Sequence, residues 1–232
     1  TVYVDGVKML DPSSPDGSFY MESIMKNSID RVEILKGTQS SLYGSNAIGG
    51  TIHIYTKKGK EGKHSDFQVD TGSKNTKNLT YSFNGADEKF DYYLGLNKFV
   101  TDGISAMNDN DEQDAYRNDG IVGNLGYKIN DNFRLENSFR YTDAFLEYDS
   151  VATANTDIYN RSDNTEGSIV LKLINEQGKS KNTLTFNKLY IERATEDKSQ
   201  KKENYFGYRD ALNFVGEYSF NLDNKIVYGI DS

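Results

Sequence analysis

Acidic side chains between residues 109 and 119 are the densest set that could do chemistry in this chain of 232 residues. The chain has no Cys and only two His, which excludes a thiolate zinc site, a Cys nucleophile and a multi-His metal centre. Any metal would need oxygen ligands, and the candidates are Asp109, Asp111, Glu112, Asp114 and Asp119. They are hard donors of the kind that Ca2+ prefers, although their spacing lacks the Gly and the terminal Glu of an EF-hand. The alternative is a solvated loop whose like charges repel one another.

Two other classes of function are disfavoured by the composition. The formal net charge is -8 at pH 7, so the chain lacks the basic face that a nucleic-acid-binding domain needs. His53 and His64 lie near Tyr55 and Asp66 in sequence, but no nucleophile, base and orienting group stand out together. We therefore expect a protein that is not an enzyme.

Short runs of alternating apolar and polar residues fill the chain after residue 65, and their period of two predicts β-strands. Mean hydropathy is only -0.72, but a transmembrane β-barrel alternates in this way and stays hydrophilic on average. In one run, Arg134, Glu136 and Arg140 form a charged row, and we expect water to reach that face. About nine runs meet the criterion, at residues 67–69, 79–83, 90–96, 121–129, 133–141, 169–173, 184–190, 212–220 and 226–230.

The connections between these runs alternate in length. Tight joins at 85–89, 130–132, 175–181 and 221–224 alternate with joins that are mostly long, at 102–119, 146–164 and 195–208. Because consecutive antiparallel strands put alternate turns at opposite ends, one end of the sheet should carry tight turns and the other long loops. This arrangement is typical of outer-membrane barrels. A soluble β-sandwich binding module is the alternative from another class.

Residues 29–57, IDRVEILKGTQSSLYGSNAIGGTIHIYTK, predict a strand, a Gly turn, a short helical segment around 40–43 and a second strand. A phosphate-binding loop is excluded, because no Gly-Lys-Ser/Thr follows Gly44 and the pair Gly49 and Gly50 leads into a strand. The block closely resembles the end of the plug domain of TonB-dependent outer-membrane receptors. Residues 2–7, VYVDGV, are similar to an upstream plug strand and turn of the same family, whereas Thr38 and His53 depart from the family pattern.

The resemblance implies a mainly β fold: the C-terminal half of a plug, followed by about nine antiparallel strands of a roughly 22-stranded transmembrane barrel. The corresponding boundaries are 1–57 for the plug, 58–64 for a linker and 65–232 for the first barrel strands. Family members dock the plug against the barrel wall, and Arg134, Glu136 and Arg140 are candidate wall partners. The docking residues that the resemblance implies are Arg31, Glu33, Lys36, Gly37, Tyr43, Gly44, Gly49 and Gly50.

The barrel portion looks most like the cobalamin-receptor branch, in which some acidic loops bind Ca2+. The implied function is TonB-dependent uptake of a scarce, bulky ligand, with cobalamin first and a ferric siderophore or haem as the alternative. Tyr116, Tyr148 and Tyr159 are the implied ligand contacts at loop tips, and the 11–18 loop is a candidate plug apex. We expect a fragment of a Gram-negative outer-membrane protein, monomeric when complete, in contact with outer-membrane lipid and with TonB through a segment outside this chain.

Overall fold

The fold is described from a computed structural model, for residues 1–12, 14, 17, 19, 21–38, 47–105, 113–149, 160–196, 201–221 and 224–231. Their strands form two sheets. The plug sheet contains β1 (Val2–Val4), β2 (Val7–Met9), β3 (Ile29–Lys36) and β4 (Gly50–Thr56), in the order β2-β1-β4-β3. The wall sheet contains, in sequence order, β5 (Gly62–Thr71), β6 (Lys77–Ala86), β7 (Phe90–Thr101), β8 (Tyr116–Lys128), β9 (Phe133–Tyr148), β10 (Asn160–Gln177), β11 (Ser180–Glu196), β12 (Lys202–Ser219) and β13 (Lys225–Asp231).

The wall is one antiparallel sheet of nine strands, which confirms the predicted mainly β fold and its strand number. A sandwich would divide these strands between two packed sheets and bury the apolar face of each. Instead, the outer face of the wall leaves large apolar side chains exposed, among them Phe67, Tyr208 and Ile230 at 69%, 64% and 73%. The sandwich alternative is therefore wrong for the described part of the chain.

The two faces of the wall follow the alternation read from the sequence. On β6, Leu79 and Tyr81 are exposed on the outer face, whereas Thr80 and Asn84 are buried on the face that meets the plug. On β9 the charged row lies on this inner face, as its parity requires. The expectation that water reaches the row is wrong at Arg140, which is only 6% exposed because the plug covers it.

Tight turns gather at one end of the wall, as predicted, at 87–89, 129–132 and 178–179, and the short join between β12 and β13 lies at the same end. At the opposite end the strands continue further than expected: β8 already begins at Tyr116, and β9 extends to Tyr148. The polar residues read as loop therefore belong in part to strands. Backbone pairing does not require apolar side chains, so a polar strand end carries little sequence signal.

The plug sheet is built from two strand pairs. Asp5 and Gly6, both at positive φ (51° and 92°), close the β1–β2 hairpin, as an Asp-Gly pair does in a two-residue turn. β4 lies between β1, to which it is parallel, and β3, to which it is antiparallel. Gly50 has a φ of 127°, and a Cβ there would lie 2.4 Å from the Leu35 carbonyl oxygen, so the backbones approach at a distance that only Gly permits.

The segment between the two strand pairs contains two short 3-10 turns, Met21–Ser23 and Lys26–Ser28. The helical segment expected around 40–43 lies outside the described residues. No helix among the described residues is long and apolar enough to cross a membrane.

Plug and wall share one apolar core. Val4, Val7, Met9 and Ile54 of the plug sheet pack with Val170, Leu189 and Ile191 of β10 and β11, and each is at most 9% exposed. Burial of apolar surface of this kind stabilises by about 25 cal/mol per Å². The plug is therefore held against the middle of the wall by the hydrophobic effect, and its polar contacts surround that core.

Candidate functional site: the plug–wall interface and its cleft

Three groups of polar contacts join the plug to the wall, and the first lies towards the long-loop end. Asp11, just after β2, forms an ion pair with Arg193 of β11 across 3.0 Å. The Asp11 side chain is 3% exposed and that of Arg193 is 14% exposed, so the pair is largely shielded from water. The Arg193 guanidinium also lies over the Tyr205 ring at 4.8 Å, and Arg209 donates to the Lys8 carbonyl oxygen at 3.2 Å. The β1–β2 hairpin is thus fixed to two neighbouring wall strands.

The second group lies beneath the 3-10 turns. Ser23 donates to Glu166 of β10 at 3.3 Å, and Glu166 is also ion-paired with Arg140 of β9. Thr142 of β9 donates to the Ser23 carbonyl oxygen at 3.3 Å. Two guanidinium nitrogens of Arg140, Nε and Nη1, are buried with no hydrogen-bond partner among the described residues. Removing Glu166 would leave this cation buried without compensation, which costs several kcal/mol.

The third group holds the passage from plug to wall at the tight-turn end. Asn124 of β8 donates to Thr56 Oγ1 at 2.6 Å and to the Lys57 carbonyl oxygen at 2.7 Å. Lys58 forms an ion pair with Glu136 of β9 at 2.9 Å. The Lys57 amide donates to the Ser28 carbonyl oxygen at 2.8 Å, which ties the passage to the second 3-10 turn.

The docking residues implied by the resemblance occupy a different place. Arg31, Glu33 and Lys36 lie on β3, the edge strand of the plug sheet, and are exposed, as is Gly37 beyond it. Arg31 Nε donates to Glu33 Oε1 at 2.8 Å, and this bond holds the pKa of Glu33 below its usual value. The guanidinium also covers the Tyr55 ring at 3.8 Å. The side chains of Arg31 and Glu33 therefore make their contacts within the plug.

Of the other docking candidates, only two are among the described residues. Gly49 and Gly50 lie at the start of β4, whereas Tyr43 and Gly44 lie outside the described residues. Docking against the wall by this set of residues stays a prediction. On the wall side, Arg140 contacts Met9 of the plug and Glu136 pairs with Lys58 of the passage. Arg134 pairs with Asp91 and Glu136 inside the wall.

Five residues that carry the interface were missed by the sequence analysis: Asp11, Ser23, Asn124, Glu166 and Arg193. The sequence does carry a signal for the three wall residues, Asn124, Glu166 and Arg193. Each is a polar side chain on the plug-facing parity of its strand, where an outer-membrane barrel without a plug would hold water. Their partners are distant in sequence, so the alternation alone could not identify them.

A small cleft of about 30 Å³ lies beside the first two groups, between the plug and strands β8 to β11. Its lining includes Asp11, Phe19, Tyr116, Glu166 and Arg193. Tyr116 is therefore placed at the junction of plug and wall. Its ring packs on Phe99 with centroids 5.8 Å apart, and its hydroxyl accepts a hydrogen bond from Asn118 at 2.9 Å.

Tyr148, a second implied ligand contact, is not among the described residues that line this cleft. Tyr148 is exposed at the end of β9, so both described tyrosines lie at strand ends rather than at loop tips. Tyr159 lies outside the described residues. The 11–18 loop, named as a candidate apex, is described only in part, and its first residue, Asp11, is buried against the wall.

Only two of the five candidate metal ligands are described. Asp114 precedes β8, whereas Asp119 lies on β8 and accepts two hydrogen bonds from Lys98 at 3.0 Å. Asp109, Asp111 and Glu112 lie outside the described residues. In the part of the chain that the structure describes, no three His, Cys, Asp or Glu side chains gather in a way that could hold a metal ion. A calcium site in this loop stays a prediction.

His53 has a structural environment in the plug sheet. Its ring stacks on Tyr3 with centroids 4.9 Å apart, and its Nε2 lies 3.0 Å from Thr51 Oγ1. Burial lowers the pKa of His53 below its ordinary value, and the negative charge of Glu33 offsets part of this shift. These contacts hold the His53 ring in place within the plug sheet.

Residues 1–51 match the family model described as the TonB-dependent Receptor Plug Domain. The chain is 29% identical over 151 residues to the vitamin B12 transporter BtuB of Photobacterium profundum, an alignment that covers 64% of this chain and 25% of that protein. It is 32% identical over 165 residues to the rhizobactin receptor of Rhizobium meliloti, with 64% and 22% covered. The chain thus spans about a quarter of the length of these relatives.

Solved structures agree in fold. The ferric yersiniabactin uptake receptor FyuA of Yersinia pestis matches all of this chain over 38% of its own, with a TM-score of 0.75 and 16% identity. The siderophore receptor PiuA of Acinetobacter baumannii matches 100% of this chain over 37% of its own, with a TM-score of 0.66 and 13% identity. In its plug domain, its relatives and its fold, the chain is similar to the TonB-dependent receptors, with part of a plug joined to a wall sheet of nine strands.

Proposed function

We propose that the protein containing this chain is an outer-membrane receptor of a Gram-negative bacterium that takes up a scarce, bulky ligand with energy supplied through TonB. The observation that carries this proposal is the plug itself, packed on the inner face of a wall whose outer face is apolar. A lumen filled in this way blocks passive diffusion. Passage of a bulky ligand then requires the plug to move, and the outer face suits contact with lipid.

Cobalamin is the first candidate ligand. The transporter of Photobacterium profundum is named for it, and the acidic 109–119 loop resembles loops of cobalamin receptors that bind Ca2+. A ferric siderophore is the second candidate. It is favoured by the rhizobactin receptor and by 42% identity over 72 residues to the ferric aerobactin receptor of Klebsiella pneumoniae, which cover 31% of this chain and 9% of that receptor. Both ligands are too large to diffuse through a plugged barrel.

The ligand would bind on the long-loop side, over the junction where Tyr116 meets the plug, because the cleft itself, at about 30 Å³, has room for about one water molecule. Aromatic side chains supply large contact areas at low cost in conformational entropy, which suits recognition of a rigid macrocycle or metal chelate. Because Asp11 and Arg193 line the same cleft, a bound ligand would be next to the ion pair that fixes the β1–β2 hairpin. Ligand binding and plug position would then be coupled through shared side chains.

The test begins with the gene, sequenced on both sides of this segment. A frame that encodes a signal peptide and a TonB-binding segment upstream, and further alternating strands downstream, is expected. The gene product is then expressed in a host without cobalamin and siderophore receptors, with and without TonB. Labelled cyanocobalamin and ferric aerobactin are the two probes. Uptake of one probe only when TonB is present supports the proposal, whereas binding and uptake of neither would contradict it.

A further inference from the structure

Asn124 is the centre of a buried hydrogen-bond chain that joins three separate parts of the molecule. Its amide nitrogen donates to Thr56 Oγ1 at 2.6 Å and to the Lys57 carbonyl oxygen at 2.7 Å, so both amide hydrogens are used. Asp5, in the β1–β2 turn, accepts the Thr56 amide at 2.9 Å and the Thr56 hydroxyl at 2.7 Å. These hydrogen bonds therefore connect the plug hairpin, the end of β4 and wall strand β8.

The chemistry of the three side chains fixes the direction of every bond. An ionised Asp5 can only accept, so the Thr56 hydroxyl must give its single hydrogen to Asp5. The Thr56 hydroxyl oxygen is then left to accept a hydrogen bond from Asn124. Of these three side chains, only Asn124 can also donate to the Lys57 carbonyl oxygen. Thr56 and Asn124 are each 3% exposed, so an unmade bond here would not be replaced by bulk water.

This cluster lies at the opposite end of β8 from the cleft. At about 3.4 Å per residue along the strand, Asn124 is roughly 27 Å from Tyr116. Further contacts hold the same passage: Lys58 pairs with Glu136 at 2.9 Å, and the Lys60 amide donates to Asn84 at 3.3 Å. The plug end is thus fixed to β6, β8 and β9 at a distance from any ligand over the cleft.

We propose that Asn124 is a positioning residue that anchors the plug-to-wall passage, so that residues 56–60 stay on the wall while other parts of the plug move. The role in movement rests on the proposed uptake function, whereas the anchoring itself does not. Asn124 acts through Thr56 and Lys57 and needs no contact with the ligand. Its two donors keep the end of β4 in place when contacts near the cleft change.

The anchoring is tested by amide hydrogen exchange in the full-length receptor, resolved at Thr56 and Lys57. Asn124→Asp keeps the shape of the side chain but replaces both donors by acceptors that face acceptors. We expect exchange at these two amides to rise about tenfold or more, and a similar rise in Asn124→Ala. Asn182→Ala is the matched control, because Asn182 lies near the tight-turn end and its hydrogen bonds stay with Ser180 and Tyr228.

Two results would overturn the anchor. One is that the amides of Thr56 and Lys57 exchange at the wild-type rate in the Asn124→Asp variant. The other is an equal rise in Val7–Met9 of β2, which would mean that Asn124 only stabilises the plug as a whole. Uptake is measured separately with the probe that the receptor transports. Unchanged binding with reduced uptake in Asn124→Asp is expected, and unchanged uptake would contradict the role in movement while leaving the uptake function intact.

Discussion

Asp11 and Arg193, which are distant in sequence, meet across 3.0 Å as a largely buried ion pair between the plug and the wall. The same two side chains line the cleft that contains Tyr116. A contact that holds the plug therefore lies next to the junction where Tyr116 meets the plug.

Loss of this pair should weaken plug docking strongly. Arg193→Met leaves the Asp11 carboxylate buried without its cation, and such losses typically cost about 3–5 kcal/mol. The free energy of plug undocking can be obtained from the urea dependence of amide exchange in β2. Lys188→Met is the control, because Lys188 pairs with Asp210 on the outer face of the same strand, away from the plug, and should contribute less than about 1 kcal/mol to docking. Equal effects of the two variants would contradict a docking role for Arg193.

Acid should destabilise the plug sheet through His53. Burial lowers the pKa of His53, so the unfolded plug takes up the proton at a higher pH than the folded plug. The contribution of neutral His53 to the free energy of unfolding is therefore fully present above the ordinary histidine pKa of about 6.5. It is lost as the pH falls through the pKa that His53 has in the folded plug. His53→Asn should reduce the loss of plug stability between pH 7 and pH 5, measured by urea unfolding. His64→Asn, at an exposed position, should retain it, and identical pH profiles for wild type and His53→Asn would refute the assignment.

Tyr116 should contribute to ligand affinity. Tyr116→Ala removes an aromatic side chain from the lining of the cleft, and we expect Kd to rise about tenfold or more, which is a loss of about 1.4 kcal/mol. Equilibrium binding of labelled ligand to outer membranes measures the change. Tyr127→Ala is the matched control on the same strand, since Tyr127 is exposed near the tight turn. A Kd in Tyr116→Ala that matches the control would place the ligand elsewhere.

Calcium should raise cobalamin affinity if the acidic loop is a metal site. We expect chelation to weaken binding, with restoration by Ca2+ but not by Mg2+, which demands a tighter octahedral geometry. Asp114→Asn and Asp119→Asn should each reduce the calcium response, since both carboxylates belong to the candidate ligand set. Asp131→Asn, in the tight turn at the other end, is the control. An affinity for cobalamin that chelation leaves unchanged would contradict the metal site.

Several elements of the fold could be predicted from local pattern alone. The period of two predicted the nine wall strands, because successive side chains of a strand point to opposite faces wherever the strand lies. The first turn, expected from the resemblance of residues 2–7, is closed by Asp5 and Gly6, since few residues adopt positive φ at both positions. Strand ends were harder to place: β8 begins at Tyr116 inside a stretch read as loop, since polar strand ends lack the apolar alternation.

By itself, then, the sequence determined the strands, the faces of the wall and the resemblance of residues 29–57 to a plug. Only the tertiary structure decided which polar residues meet. Arg31 and Glu33 pair with each other on an edge strand, whereas Asp11 meets Arg193 and Thr56 meets Asn124 across the interface. The physical reason is that periodicity fixes the face of a side chain, but its partner depends on how the plug docks. Docking is set by the shared apolar core around Val7 and Leu189, which no local pattern records.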